Sequence, residues 1–361
     1  MSSIDDLRFM ARALELAERG LWTTTPNPRV GCVIVKDGVI VGEGWHERAG
    51  SAHAEASALK LAGEKAEAAT VYVTLEPCAH FGRTAPCAQA LVAARVRRVV
   101  AAMRDPNPLV AGKGFEQLRG SGIAVESGVM EAEAAALNAG FVSRFTRERP
   151  WVRMKIAASL DGRTALSNGT SQWITGPQAR LDGHRWRARA CAILTGIGTV
   201  RDDDPQLTPR DVGATRLPLR VVVDSRLETP EQARILGAGT LIAAAIEDAH
   251  RGDRLRARGA ELLVLPNPAG KVDLGALMRA LAKRGINEVH VEAGYKLNGS
   301  LLREGLVDEL LVYVAPRILG DSAQGMFALP ELTKLAQSID FELKDVSKIG
   351  EDLRIVARIK R

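Results

Sequence analysis

Aromatic side chains are scarce in this chain, at 4% of its 361 residues. Base-stacking platforms for single-stranded nucleic acid therefore have little to be built from, and the 49 Lys and Arg are scattered rather than clustered. The formal charge of +6 is read as a basic surface suited to small phosphorylated ligands, and no nucleic-acid partner is expected. Cysteine is equally sparse: four residues at this length exclude a disulfide scaffold. No apolar run approaches the roughly twenty residues of a membrane span. Runs such as Leu219–Val223 and Leu310–Val314 are short, bounded by charge, and suit buried strands. The N-terminus carries Asp5 and Asp6 where a signal peptide carries bases, so neither export nor membrane association is expected, and the cytoplasm is the expected location.

What remains is an ordinary globular composition, 46% apolar, long enough for two domains. Leu7, Met10, Ala11, Leu14 and Ala17 recur at three- and four-residue steps and predict a helix over 4–18. Two apolar runs, 30–35 and 39–44, flank Asp37-Gly38, a strong hairpin signal. Strands over 70–75 and 98–103 and a helix over 87–94 follow. The charged stretch Phe145–Pro150 loses apolar periodicity, so a boundary is placed there, with domains at 1–145 and 150–361. The second begins with the alternating strand Trp151–Ala157, and residues 328–361 are read as a closing helix and strands.

The chemistry is carried by His53-Ala54-Glu55, Pro77-Cys78 and Cys87. One imidazole and two thiolates can hold a zinc ion and leave a fourth position for water, which is the layout of a catalytic rather than a structural zinc. His-x-Glu followed by Pro-Cys and a further Cys is also the order of zinc-dependent nucleobase deaminases, in which the Glu is the acid and base and not a ligand. Eight residues separate Cys78 from Cys87, where those enzymes commonly have two.

That long spacing is accounted for by a resemblance. Pro77-Cys78-Ala79-His80-Phe81-Gly82-Arg83-Thr84-Ala85-Pro86-Cys87 resembles the corresponding segment of the bifunctional deaminase/reductase family of the riboflavin pathway. Further similarities run through Thr25–Gly31, Gly42–Glu55, Asp105-Pro106-Asn107-Pro108 and Ser159–Thr164, covering nearly the whole chain. The resemblance implies an α/β protein, with an N-terminal three-layer α/β/α domain of cytidine-deaminase type followed by a dihydrofolate-reductase-like α/β domain. It implies one zinc on His53, Cys78 and Cys87, Glu55 as the catalytic residue, and Asn27, Asp105 and Asn107 on the pyrimidine. His46 and His80 flank the metal segment and are read as substrate-contacting or structural histidines rather than extra ligands. His184, His250 and His290 have no partner spacing and read as ordinary surface or strand residues.

For the second half the resemblance implies NADPH held by Ala157, Trp173, Thr199, Asp203, Ser225 and Gly294. It places substrate on Ser171, Arg187, Leu207, Arg210 and Glu292. Independently, Thr195–Arg201 and Val289–Gly299 are glycine-bearing turns that each follow a strand, where backbone donors can cradle a phosphate. Ser225 and Arg226 close another strand and could receive a 2′-phosphate. Thr170 stands where the family usually has Glu, and Lys155, Asp161 and Asp203 are all candidates for the proton that accompanies hydride transfer. The implied reactions are deamination of 2,5-diamino-6-(ribosylamino)-4(3H)-pyrimidinone 5′-phosphate, then reduction of its ribosyl group to ribityl, by a homo-oligomer (dimer or tetramer) paired through the second domain. The competing reading is an RNA or nucleoside deaminase with an appended nucleotide- or RNA-binding domain. It requires basic clusters and aromatics in 151–361 that the sequence does not have.

Overall fold

A computed structural model describes residues 3–79 and 86–360. The chain separates into two compact units, one up to Glu148 and one from Arg149 onward. The N-terminal unit runs α1 (Ile4–Glu18), β1 (Gly31–Lys36), β2 (Val39–Trp45), α2 (Ala54–Ala62), β3 (Thr70–Val73), α3 (Cys87–Ala93), β4 (Arg98–Ala101), α4 (Lys113–Gly120), β5 (Ala124–Ser127), α5 (Glu131–Leu137) and α6 (Ala139–Arg147). Its sheet has the order β2-β1-β3-β4-β5, antiparallel at the β2 side and parallel from β3 to β5.

Side chains alternate across a strand, so a sheet covered on both faces needs apolar residues at every position. Cys32, Ile34, Val71, Val73, Val99 and Ala101 pack on one face with Ala58, Leu91, Phe115 and Leu118 of α2, α3 and α4. Val33, Val35, Tyr72 and Val100 pack on the other with Phe9, Met10 and Leu14 of α1 and Phe141 of α6. The result is three layers. The expected hairpin closes on Asp37 and Gly38, whose φ values of 50° and 75° are those of a tight two-residue turn, with Lys36 paired to Val39. α2 lies directly on β2, because a Cβ at Gly42 would fall 2.3 Å from the Ala58 carbonyl and one at Gly44 would fall 2.4 Å from that of Ala54.

The C-terminal unit contains β6 (Trp151–Ser159), β7 (Arg163–Ala165), α7 (Pro177–Arg189), β8 (Ala192–Gly196), α8 (Ile197–Asp203), β9 (Leu219–Val223), β10 (Thr240–Ala244), α9 (Ala249–Ala257), β11 (Ala260–Val264), α10 (Leu274–Lys283), β12 (Glu288–Val291), α11 (Tyr295–Arg303), β13 (Glu309–Ala315), β14 (Gln324–Gly325), β15 (Phe341–Ile349) and β16 (Asp352–Ile359). Nine strands form one sheet in the order β11-β10-β9-β8-β12-β6-β13-β16-β15. It is parallel from β11 to β13 and antiparallel through β16 and β15. α10 and α11 cover one face through Leu277, Met278, Leu281 and Leu301. α9 contributes Leu255 and α7 contributes Ala179 to clusters on the other face.

Two local expectations are corrected. Phe145–Arg147, read as aperiodic, is the last turn of α6: the Arg144 guanidinium lies over the rings of Phe141 and Phe145, so the charge folds back on the helix's own apolar face. The closing helix is absent, and 328–360 holds a single 3-10 turn, Leu335–Gln337, before the β15–β16 hairpin.

Candidate active sites

His53 is the N-cap residue of α2 and Glu55 sits in its first turn, while Cys87 opens α3. The close seating of α2 on β2 and the β3-to-α3 connection bring these together with Cys78. His53 Nδ1 lies 3.3 Å from Cys87 Sγ and 3.6 Å from Cys78 Sγ, and all three donor atoms fall within 4.8 Å of one another. Tetrahedral zinc, with Zn–S of about 2.3 Å and Zn–N of about 2.0 Å, sets its donors roughly 3.5–3.8 Å apart, so the donor set fits that ion.

Electrostatics lead to the same ion. The hydrogen bond with Cys87, together with the His53 imidazole, pulls the Cys78 thiol down to about 4. Cys87 is driven the opposite way by that neighbouring thiolate, by burial and by Glu55. Burial, with the Cys78 thiolate, pushes Glu55 up to about 7. Two thiols and a buried carboxyl cannot all ionise here without a cation, and a divalent metal allows it.

Around this cluster, Asn27 Nδ2 lies 3.0 Å from His46 Nε2, and His46 Nδ1 lies 3.0 Å from the Ala52 carbonyl oxygen. A main-chain acceptor at Nδ1 puts the proton there, so Nε2 accepts from the Asn27 amide and leaves that amide's oxygen facing away from His46. Burial lowers the His46 pKa, which keeps the ring neutral. Asp105 and Asn107 lie in the loop after β4, where the Asp105 carboxylate accepts from Asn107 N–H at 2.8 Å. His80 lies outside the described residues. One residue the motifs did not mark is Glu76, 3% exposed, whose carboxylate accepts main-chain N–H groups from Asp105, Gly112, Gly114 and Phe115. Its only signal in the sequence is its place beside Pro77-Cys78.

In the C-terminal unit six of the named residues lie at the carboxyl ends of the neighbouring parallel strands β9, β8, β12 and β6, where open α/β sheets bind ligands. Ser225 follows β9, Thr199 and Asp203 lie on α8 after β8, Glu292 and Gly294 follow β12, and Ala157 lies toward the end of β6. Gly294 and Gly196 are the N-cap residues of α11 and α8 and provide no side-chain cap, and no atom lies within 4 Å of a Cβ built on Gly294. Open main-chain donors at a nine-residue helix start suit a nucleotide phosphate.

Arg187 donates twice to Glu292, the second bond being 2.8 Å from Nη2 to Oε2, and Lys155 Nζ lies 3.9 Å from the same carboxylate. Burial alone would raise the Glu292 carboxyl, but Arg187, Lys155 and His290 hold it well below the usual range. Burial lowers Lys155, and Arg187 adds to that. His290, expected to be ordinary, is fully buried with Nε2 3.3 Å from Glu292. His184 is not idle either, since its Nδ1 accepts the Arg210 N–H at 3.1 Å. Asp203 accepts from Gln172 and interacts with Ser171, and burial raises its pKa. Asp161 accepts from Ser159, Leu319 N–H and Gly320 N–H, which hold its carboxyl below the usual range. Trp173 is 62% exposed with Arg180 stacked over it, and the Leu207 side chain is buried in the core, leaving only its main chain for a ligand.

Comparison with known proteins identifies both units. Residues 3–103 match the cytidine and deoxycytidylate deaminase zinc-binding region, and residues 150–355 match the RibD C-terminal domain. The chain is 49% identical to riboflavin biosynthesis protein RibD of Escherichia coli K12, over 97% of this chain and 98% of that protein. It is 42% identical to the Aquifex aeolicus protein of the same name, over 97% of each. The solved structure of Acinetobacter baumannii RibD superposes with a TM-score of 0.92 at 45% identity, covering 99% of both chains. A diaminohydroxyphosphoribosylaminopyrimidine deaminase/5-amino-6-(5-phosphoribosylamino)uracil reductase from Thermotoga maritima gives 0.88 at 33%, again over 99% of both. With a zinc-binding deaminase half and a reductase half in one polypeptide, this chain belongs to the RibD family, the bifunctional deaminase/reductases of riboflavin biosynthesis.

Proposed function

We propose that the N-terminal unit replaces the 2-amino group of 2,5-diamino-6-(ribosylamino)-4(3H)-pyrimidinone 5′-phosphate by oxygen, releasing ammonia. The C-terminal unit then reduces the ribosyl group to give 5-amino-6-(ribitylamino)uracil 5′-phosphate. The observation that carries this reading is the convergence of His53, Cys78 and Cys87 beside the buried carboxyl of Glu55. These three residues would hold one zinc ion, which when bound polarises water and makes it nucleophilic near neutrality. Glu55, a buried carboxyl beside the three donors, takes a proton at its carboxylate and returns it to the departing amine within one turnover. Asn27, Asp105 and Asn107 orient the pyrimidine, with His46 acting on Asn27, and His80 belongs to the same substrate set.

In the second unit NADPH supplies the hydride. Ala157, Trp173, Thr199, Asp203, Ser225 and Gly294 would hold it, with Ser225 and Arg226 placed after β9 for the 2′-phosphate. Ser171, Arg187, Leu207, Arg210 and Glu292 would hold the substrate. Lys155 is the group best placed to move a proton there, because it is partly buried against Glu292 and its pKa is lowered. We read the protein as a cytoplasmic homo-oligomer without a nucleic-acid partner. No helix among the described residues is long and apolar enough to cross a membrane.

The test follows ammonia release and NADPH oxidation separately, with Glu55→Gln alongside. Glu55→Gln is expected to retain zinc, lose ammonia release by roughly 10²–10⁴-fold, and still oxidise NADPH when given the deaminated intermediate. Undiminished ammonia release, or no reaction of the wild-type zinc protein with this substrate, overturns the reading.

A further inference from the structure

Glu76 spends its whole carboxylate on main-chain donors from one loop and the helix that follows. Oε2 accepts from Asp105 N at 3.2 Å and from Gly112 N at 2.9 Å, and Oε1 accepts from Gly114 N at 3.0 Å and Phe115 N at 3.3 Å. Its own N–H donates to Met103 O at 3.0 Å. The two ends of the loop between β4 and α4 are therefore fastened to a single side chain, one oxygen bridging both.

The loop itself is closed by short-range bonds: Asn107 N–H to the Asp105 carboxylate, Leu109 N–H to Asn107 Oδ1 at 3.1 Å, and Val110 and Ala111 N–H to Asn107 O at 2.9 Å. Such a loop is internally ordered, but its place relative to the metal ligands must come from elsewhere. Glu76 provides it, because Cys78 is two residues further along the same chain. Gly114 strengthens the junction, since a Cβ there would fall 1.9 Å from the Pro77 carbonyl, so α4 starts in direct contact with the residue before Cys78.

We propose that Glu76 is a positioning residue of the deaminase site: it fixes the loop bearing Asp105 and Asn107 at a set distance from Cys78, and so sets the pyrimidine against the reacting centre. The inference rests on the reading of Asp105 and Asn107 as pyrimidine contacts. Four donors converge on two carboxylate oxygens, a demand an amide cannot meet: Gln at this position presents one oxygen, and its NH2 faces two N–H donors. Loosened by such a mismatch, the loop is displaced by tenths of an ångström to an ångström, a shift large enough to cost roughly tenfold to a hundredfold in reaction efficiency.

The experiment compares wild type, Glu76→Gln, Gly112→Ala and Asn107→Ala for zinc content, ammonia-release kinetics, NADPH oxidation with the deaminated intermediate, and amide hydrogen exchange across 104–115. Gly112 has φ of 87°, so a side chain there strains the loop's far anchor without touching Glu76. Glu76→Gln is expected to keep stoichiometric zinc and the full reductase rate, raise KM for the pyrimidine roughly tenfold with a smaller change in kcat, and speed exchange at 105–112 but not at 87–93. Gly112→Ala should shift KM in the same direction, and it carries the test if Glu76→Gln does not fold. If Asn107→Ala raises KM while both anchor variants leave it unchanged, the positioning inference is overturned and the substrate reading stands. If Asn107→Ala leaves KM unchanged, it is the substrate reading of the loop that fails. Loss of zinc from Glu76→Gln with normal KM in the metal-loaded remainder overturns the inference too, since that is the signature of a purely structural residue.

Discussion

The side-chain amide of Asn27 is held by the imidazole of His46, Nδ2 to Nε2 at 3.0 Å, and that imidazole is itself held at Nδ1 by the Ala52 carbonyl. The chain of acceptors leaves one rotamer of the Asn27 amide favoured, with its oxygen directed away from His46.

His46→Phe removes the acceptor and lets the amide turn over. We expect KM of the deaminase step to rise on the order of tenfold, the value of one well-placed hydrogen bond, with zinc content unchanged. Steady-state kinetics on the metal-loaded variant decide it, and an unaltered KM would show that Asn27 is oriented without His46.

Lys155 sits against Glu292, with Arg187 and His290 also facing that carboxylate. Its pKa is lowered from the ordinary lysine range, chiefly by burial. If the protonated amine serves the reductase step, the rate falls as pH rises through that depressed pKa, so the pH profile has an alkaline limb. Lys155→Met should lower the rate roughly 10²–10⁴-fold and abolish the limb. NADPH oxidation on the deaminated intermediate, measured across the alkaline range, is the readout. A limb that persists in the variant would show that Lys155 is not the group that titrates.

Asp6 of α1 accepts from Tyr72 Oη at 2.9 Å and from Arg98 Nη1 at 2.8 Å, joining the first helix to β3 and β4. The Arg98 guanidinium holds its carboxyl well below the usual carboxylate range. Because the folded pKa is the lower one, this stabilisation is complete above the unfolded value near 3.9 and is lost as pH falls through the folded one. Asp6→Asn should destabilise the N-terminal unit by about 3 kcal/mol at neutral pH, the low end for a buried pair because Arg98 is partly solvated. Thermal unfolding at several pH values should show the gap to wild type narrowing below about pH 4. A gap constant with pH would mean that the pair adds nothing.

β15 is the outer strand of the nine-stranded sheet, and Leu343 and Val346 on it are 65% and 54% exposed. Irregular pairing between Leu343 and Asp345 sets both opposite Ala357 and Ile355, on the face they share with Leu353. An apolar face at an open strand edge suits a second copy of the chain. Sedimentation velocity should give an oligomer that the double change Leu343→Lys, Val346→Lys shifts toward monomer. A wild-type protein that stays monomeric at high concentration would sink this assignment.

Legibility in the sequence followed the range of the interactions. α1 and the Asp37-Gly38 hairpin depend on neighbours a few residues away, and their periodicity and turn residues disclosed them. The cluster of His53, Cys78 and Cys87 was readable because zinc demands residue types that few other roles require. Glu76 was invisible because its partners are main-chain groups 29 to 39 positions away, and an N–H carries no residue-type signal. The pairing of Arg187 with Glu292 spans 105 residues and appears only once β12 and α7 meet. The last turn of α6 was hidden because the charges of Phe145–Pro150 look like a linker until Arg144 is seen lying on Phe141 and Phe145.

Gly42 and Gly44 carry no side chain to offer a substrate, yet they set how far α2 stands from β2. The helix capped by His53 and bearing Glu55 has no slack there: an added methyl group on either glycine must lift it, and with it both side chains of the proposed centre. A mutational screen scored only on growth without riboflavin would therefore rank these two strand glycines with the proposed zinc ligands, and would count as chemistry what is a matter of clearance between a helix and a sheet.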